Sequence, residues 1–230
     1  MIKIGGLQKV SLIDYPGRIS AVVFTQGCNF RCSYCHNPDL VDPKLYLPCL
    51  PVKNVLKFLA LRVGKLDAVT LSGGEPTLQD DLVPFLQKVQ KLGFALKLDT
   101  NGSNPQKLVE IFRLNLLNFI AMDVKAPMAG YSSVVNSSVD TDRIRKSIQC
   151  ILQSGIPHEF RTTVASSQLT LKDISTIAKE IKGAKRYVLQ KFRKARTLAE
   201  EFSEETPYSD DELLSIKINL EKEIPTVIIR

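Results

Sequence analysis

Three cysteines lie within eight residues of the segment CNFRCSYCHN, at positions 28, 32 and 35. Thiolates are strong ligands for zinc and iron, so this grouping predicts a metal centre. The chain has five cysteines in all, and the other two, Cys49 and Cys150, are isolated. A disulfide framework would spread an even number of cysteines along the chain. We therefore interpret the three grouped cysteines as metal ligands in a reducing compartment, and Cys49 and Cys150 as small buried side chains.

The number of ligands separates two kinds of metal centre. Structural zinc takes four ligands, and His36 could be the fourth. Because Cys35 and His36 are adjacent, their side chains point apart and are difficult to place on one ion. An iron–sulfur cluster normally takes four cysteines, so three would leave one iron open to a substrate or cofactor. The sequence favours a catalytic cluster with an open position, with zinc as the alternative.

The elements that position these residues alternate along the chain. Apolar segments rich in β-branched residues predict strands at 19–25, 67–72, 94–99, 118–124, 159–165 and 186–191. Amphipathic windows between them predict helices, and a helix near 209–222 and a strand in IPTVIIR close the chain. Such alternation predicts an α/β fold with a parallel sheet. We expect a partial (β/α)6 barrel with short N- and C-terminal extensions, with a flat, doubly wound sheet as the alternative. The longest stretch without periodicity, 126–140, is expected to be a functional or mobile loop.

Polar residues follow the predicted strands, where parallel α/β folds gather their chemistry. The strands run into the cysteine segment, SGGEP (72–76), DTNG (99–102), DVK (123–125) and Gln190, while Glu159, Arg161 and Thr163 alternate within the fifth strand. We therefore predict one polar cavity at one end of a barrel. Asp99 and Asp123, beside Lys125, could hold a zwitterionic ligand or frame a small cation site.

Size and charge exclude several classes of protein. The chain has 230 residues, 44% hydrophobic and 24% charged, which is typical of a globular protein. We treat residues 1–230 as one domain with a core of about residues 18–200. No apolar run could span a bilayer and no signal peptide is evident, so we expect a cytoplasmic protein without a membrane partner. The net charge is +7, with a basic stretch at 182–196 and an acidic stretch at 200–212, but no nucleic-acid-binding signature accompanies it.

The motif also carries a family resemblance. The cysteine spacing, with Tyr34 before the last cysteine, resembles the signature of radical S-adenosylmethionine (SAM) enzymes, and SGGEP is similar to their second motif. The segment SLIDYPGRISAVVFTQGCNFRCSYCHNPDLV resembles the opening of anaerobic ribonucleoside-triphosphate reductase activating proteins. DTNG and DVKAP are similar to the corresponding strand ends in that group and in pyruvate formate-lyase activases. The resemblance spans about residues 5–200 and implies a partial (β/α)6 barrel.

The same resemblance implies the cofactors and their residues. Cys28, Cys32 and Cys35 would ligate a [4Fe–4S] cluster, whose fourth iron would take the amino and carboxylate groups of SAM. The cofactor would be held by Tyr34, Gly73, Gly74, Glu75, Asn101, Asp123, Lys125 and Gln190. Related activases sometimes have histidine at the position of Gln190. Asp99, Thr100 and Asp123 would hold a monovalent cation beside the cofactor.

The implied activity is activation of a glycyl radical enzyme, with anaerobic ribonucleoside-triphosphate reductase as the expected partner. Only Cys49 lies between Cys35 and Gly73, so we expect no auxiliary cluster and an external electron donor, flavodoxin or ferredoxin. Basic residues of 182–196 (Lys185, Arg186, Arg193 and Lys194) could dock such an acidic carrier. One alternative is a radical SAM enzyme that acts on a small molecule, such as a deazaguanine precursor. The other is a non-catalytic metal- or RNA-binding module.

Overall fold

The computed structural model describes residues 2–230, which build one eight-stranded sheet with helices between the strands. The strands are β1 (Ile4–Ser11), β2 (Ser20–Thr25), β3 (Ala68–Gly73), β4 (Ala95–Thr100), β5 (Phe119–Asp123), β6 (His158–Val164), β7 (Tyr187–Lys191) and β8 (Val227–Ile229). They lie side by side in sequence order, with β1 antiparallel to β2 and all later pairs parallel. A doubly wound sheet reverses its strand order at a switch point. The sequential order therefore confirms the barrel-type prediction and excludes the flat alternative.

The helices lie between the strands and bury one face each. They are α1 (Pro38–Val41), α2 (Val52–Ala60), α3 (Leu82–Lys91), α4 (Pro105–Arg113), α5 (Tyr131–Val135), α6 (Thr141–Gln153), α7 (Leu171–Glu180) and α8 (Asp210–Leu220). Capping boxes begin α7 at Thr170 and α8 at Ser209, each with an acidic side chain three residues later. Within residues 2–230 no helix is both long and apolar enough to cross a membrane.

Alternation along the strands separates the core from a polar interior. In β4, Leu96 and Leu98 join the apolar core, whereas Asp99 faces a cavity at the carboxyl ends of the strands. Side chains on one strand alternate between two faces. The alternation therefore gives each parallel strand a face that packs against helices and a face that lines the inside of the barrel.

Three sequence expectations differ from the structure. β1 was not predicted, because its residues are mostly half-buried or exposed and lack a continuous apolar pattern. The segment 126–140, predicted as a functional or mobile loop, contains α5, whose Tyr131 and Val135 are fully buried. The interpretation of Cys49 as a buried side chain is wrong, since it is exposed, while Cys150 on α6 is partly buried.

Candidate active site

A cavity of about 310 Å³ opens at the carboxyl ends of the parallel strands. Every residue predicted to bind the cluster, SAM or a cation lies on its wall: Cys28, Cys32, Tyr34, Cys35, Gly73, Gly74, Glu75, Asp99, Thr100, Asn101, Asp123, Lys125 and Gln190. Asp14, Arg161 and Thr163 also line the cavity, although no role was predicted for them. The structure therefore brings the predicted residues together in one place.

The cysteine loop (residues 28–36) is shaped by contacts with the protein itself. The Arg31 guanidinium donates to the carbonyl oxygens of Cys28 and Phe30 at 2.7 and 2.8 Å. The Arg31 backbone N–H donates to the carbonyl of Val135, at the end of α5, at 2.8 Å. Phe30 is buried against Tyr131, with ring centres 6.2 Å apart. The segment 126–140 therefore supports the cysteine loop through Tyr131 and Val135.

A second support comes from residues 192–199, named here the strap. The backbone N–H groups of Leu198 and Ala199 donate to the carbonyl oxygens of Cys35 and Ser33, at 2.9 and 3.1 Å. On the surface, the Arg196 guanidinium donates to both oxygens of Asp39 at 2.9 Å. The strap therefore fixes the far side of the cysteine loop.

His36, the alternative zinc ligand, is exposed, and its ring stacks on Phe192 of the strap at 5.4 Å between ring centres. Across residues 2–230, no three His, Cys, Asp or Glu side chains are grouped so that they could hold a single metal ion. A cluster differs from a single ion because its cysteines bind separate iron atoms.

The three thiols need a positive partner to ionise. Burial raises the pKa of Cys28 to about 12, and burial also raises the pKa values of Cys32 and Cys35. At neutral pH these groups would be protonated in the protein alone. A metal bound to sulfur favours the thiolate, so the donor set fits an iron cluster.

The Gly73–Gly74 pair allows the end of β3 to touch the start of the cysteine loop. Gly73 has a φ of +113°, in the region that favours glycine. A Cβ atom on Gly74 would lie 2.1 Å from the carbonyl oxygen of Gly27. The next residue, Glu75, donates its backbone N–H to that same carbonyl at 2.8 Å. Larger residues would therefore separate the two segments that line the cavity.

Glu75 ties the end of β3 to the end of β4. Its fully buried carboxylate accepts hydrogen bonds from Thr77 N and Oγ1 (3.0 and 2.5 Å), Thr100 Oγ1 (2.7 Å) and Asn101 N (2.6 Å). Burial raises the pKa of Glu75, and these donors offset only part of that effect. Asn101 in turn donates to Asn29 Oδ1 of the cysteine loop at 3.0 Å.

A chain of alternating charges crosses the inner face of β4, β6 and β5. Lys97 pairs with Asp99 at 2.5 Å, Arg161 bridges Asp99 (3.3 Å) and Asp123 (2.7 Å), and Lys125 pairs with Asp123 at 3.2 Å. Burial alone would raise the pKa values of both aspartates, but the neighbouring cations outweigh it. The pKa of Asp99 is lowered, and that of Asp123 falls to about 2. Both are therefore charged at neutral pH.

The predicted monovalent cation site at Asp99, Thr100 and Asp123 contains protein cations instead. Each of the four aspartate oxygens has its own charged nitrogen partner, and Thr100 donates to Glu75. Lys97 was missed from the sequence, and Arg161 had no assigned role. The alternation Leu96-Lys97-Leu98-Asp99 is the signal that places Lys97 on the inner face.

Tyr34 shows that the cavity wall fits a polar ligand. Its side chain is buried, and no oxygen or nitrogen among residues 2–230 forms a hydrogen bond with its hydroxyl. The Lys125 ammonium lies 5.8 Å from the centre of its ring. The Cys32 thiol is the neighbour with which this hydroxyl interacts. Because buried hydroxyls normally also have an oxygen or nitrogen partner, this group suits a bound molecule with polar atoms.

Comparison with known proteins identifies the family. The model of the radical SAM superfamily matches residues 22–187. This chain belongs to the radical SAM superfamily. As a radical SAM enzyme, it uses a [4Fe–4S] cluster and SAM as cofactors.

The relatives place this radical SAM enzyme in one branch. A protein of Methanocaldococcus jannaschii, provisionally named a glycyl-radical enzyme activating enzyme, is 34% identical over 99% of this chain and 95% of its own. The pyruvate formate-lyase-activating enzyme of Clostridium pasteurianum is 30% identical over 82% of this chain and 81% of its own. The chain is therefore a member of the glycyl-radical-enzyme activating enzymes.

Solved structures with low sequence identity share the fold. Streptococcus suis SuiB bound to SAM superposes with a TM-score of 0.69 at 14% identity, over 89% of this chain and 48% of that protein. This chain thus spans about half the length of SuiB. TYW1 with a lysine-pyruvate adduct gives a TM-score of 0.62 at 14% identity, over 89% of this chain and 74% of that protein.

Proposed function

We propose that this radical SAM enzyme installs a glycyl radical on anaerobic ribonucleoside-triphosphate reductase. One observation carries the proposal: one cavity is lined by three cysteine thiols, that of Cys32 buried and those of Cys28 and Cys35 half-buried, and by polar residues from the ends of β3, β4, β5 and β7. When bound, the cluster would pass one electron from an external reductant to SAM, which would give methionine and a 5′-deoxyadenosyl radical; that radical would take a hydrogen atom from a glycine α-carbon and become 5′-deoxyadenosine. The protein holds the reactants together and excludes water.

Each cavity residue has a proposed task. Cys28, Cys32 and Cys35 would ligate the cluster. The backbone of Gly73 and Gly74, with Glu75, would meet the methionyl end of SAM, and Tyr34 would lie beside its adenine. Asn101, Asp123, Lys125 and Gln190 would hold the remaining polar groups. The cation of Lys125, which stays protonated because nearby negative charge outweighs its burial, suits a carboxylate.

The choice of partner rests on the segment from Ser11 to Val41, which resembles the opening of the reductase-activating group. A second candidate is a pyruvate formate-lyase, because one relative at 30% identity activates that enzyme. Each partner enzyme should therefore be offered separately.

The electron donor is proposed to be an acidic carrier, flavodoxin or ferredoxin. Arg193 and Lys194 are exposed on the strap, beside the cysteine loop, whereas Lys185 precedes β7 at the opposite end of that strand. Replacing Arg193 and Lys194 by alanine should slow reduction by the carrier but not by dithionite. Lys185→Ala is the matched control. Equal rates for all variants with the carrier would contradict this docking surface.

The central experiment is anaerobic. The cluster is reconstituted, dithionite and SAM are added with either candidate partner, and both 5′-deoxyadenosine and the glycyl radical signal are measured. We expect the radical on the partner and no product with Cys32→Ala. Turnover of a deazaguanine-type small molecule without a protein partner would support the first alternative. Zinc in place of iron, with no cleavage of SAM, would support the non-catalytic alternative.

A further inference from the structure

Asp99 and Asp123 have the chemistry of an alkali-cation site but carry a different set of partners. Two carboxylates at neighbouring strand ends attract a cation, and an alkali ion would need their oxygens as ligands. Lys97 and Arg161 occupy the two oxygens of Asp99, at 2.5 and 3.3 Å. Arg161 and Lys125 occupy the two oxygens of Asp123, at 2.7 and 3.2 Å. Each of the four oxygens of Asp99 and Asp123 therefore has a charged nitrogen partner.

Lys97 is the residue in this network with the least contact with solvent. Only 2% of its side chain is exposed, on the inner face of β4 between two core leucines. Buried lysines are rare unless they are paired, because removing an ammonium from water is costly. Its ammonium donates to Asp99, so its place in the barrel is explained by that carboxylate.

The charge balance also opposes an added ion. Lys97, Arg161 and Lys125 contribute three positive charges against the two of Asp99 and Asp123, a net of +1. An alkali ion would raise this to +2 inside the barrel, or would have to displace a charge-assisted hydrogen bond, one of the stronger kinds in proteins. Either change is unfavourable in a buried site.

We propose that Lys97 and Arg161 serve as built-in counterions in place of a monovalent metal ion, so that this enzyme binds SAM without sodium or potassium. Lys97 acts as a positioning residue, since it holds Asp99 at the cavity wall without reaching the cavity itself. The inference rests on the proposed function insofar as SAM occupies this cavity.

The test compares salts at equal ionic strength: sodium, potassium and tetramethylammonium chloride, whose organic cation is too large for the site. SAM affinity of the reconstituted protein is measured by calorimetry. We expect dissociation constants that agree within about twofold in the three salts. A wild-type affinity about tenfold weaker in tetramethylammonium than in sodium or potassium would overturn the inference.

A Lys97→Met variant should acquire the dependence that the wild type lacks. Its SAM affinity should fall by about tenfold or more in tetramethylammonium, as expected for loss of a charge-assisted hydrogen bond, and sodium or potassium should restore it. Lys107→Met is the matched control, because Lys107 pairs with Glu110 on the surface. Unchanged binding by Lys97→Met in all salts would overturn the inference.

A second readout does not need SAM. The unfolding temperature of the cofactor-free wild type should be the same in the three salts, whereas that of Lys97→Met should rise with sodium or potassium. A wild type stabilised specifically by sodium or potassium would overturn the inference, even if Lys97→Met cannot be purified. Failure of SAM to bind in any salt would instead contradict the proposed function.

Discussion

Replacing Arg161 by glutamine should strongly destabilise the folded protein. Arg161 is mostly buried and bridges Asp99 and Asp123, so its loss leaves two carboxylates facing each other inside the barrel. Removing one partner of a buried ion pair costs about 3–5 kcal/mol. Because about 1 kcal/mol shifts the unfolding temperature of a protein this size by roughly 2–4 °C, we expect a decrease of about 6–20 °C. From a total stability of about 10 kcal/mol, the middle of the usual range, about 5–7 kcal/mol would remain, so the variant should stay folded.

The assays are thermal unfolding, which gives the unfolding temperature, and urea unfolding, which gives the free energy, both under anaerobic, reducing conditions and followed by circular dichroism. Arg113→Gln, on the exposed side of α4, is the control and should change stability by less than about 0.5 kcal/mol. Adding Asp123→Asn to Arg161→Gln removes one of the two carboxylates that lost Arg161 as a partner, while Asp99 keeps Lys97. The double variant should therefore lose at least about 1 kcal/mol less than the sum of the two single variants. A cost below about 1 kcal/mol for Arg161→Gln, or strict additivity in the double variant, would refute the reasoning.

Three further perturbations test other parts of the site. Glu75→Gln should lower folding stability by about 1–3 kcal/mol, because the new amide N–H₂ would face at least one of the donors that now bind the carboxylate. The same change at exposed Glu110 should have little effect on stability. Equal effects of the two changes would contradict the proposed link between β3 and β4. Gly74→Ala should lower folding stability by about 1–3 kcal/mol and reduce the iron bound after reconstitution, because its methyl group would overlap the carbonyl of Gly27. Gly130→Ala is the control and should behave as wild type, because a Cβ atom on Gly130 would meet open space. In the folded protein the pKa of Asp123 is lowered from its ordinary 3.8 to about 2. The carboxylate therefore contributes about 2 kcal/mol to folding stability above about pH 4, and this contribution is lost as the pH falls through about 2. In urea titrations Asp123→Asn should lose less stability than the wild type over that interval, and identical pH profiles would contradict the assignment.

The sequence predicted the elements whose pattern is set by burial. β2 to β7 carry continuous apolar or β-branched residues because one face packs on helices and the ends enclose a cavity. β1 escaped prediction, since its two glycines and exposed Gln8 and Lys9 resemble a loop. α5 was not predicted either, because its two serines interrupt the apolar pattern of the buried Tyr131, Val134 and Val135.

The sequence predicted which residues line the candidate site, but not which of them form ion pairs with one another. The cysteine spacing and the strand ends indicated which residues would line one cavity. Which cation meets which carboxylate depends on the register of β4, β5 and β6, and the sequence does not reveal that register. Arg161 lies opposite Asp123 in the pairing of β5 with β6, and this placement makes it the bridge between two aspartates.

The hydrogen bonds between the strap and the cysteine loop have a consequence for the timing of assembly. Leu198 and Ala199 bind backbone groups of the cysteine loop that lie more than 160 positions earlier in the chain. Val135 binds the backbone N–H of Arg31 in the same loop, which lies about 100 positions earlier. During synthesis the cysteines therefore emerge long before the residues that shape their loop. Contacts between distant parts of a chain form late in folding. We expect iron and sulfide to be inserted only after the ribosome has released most of the protein, into a chain whose barrel is already built.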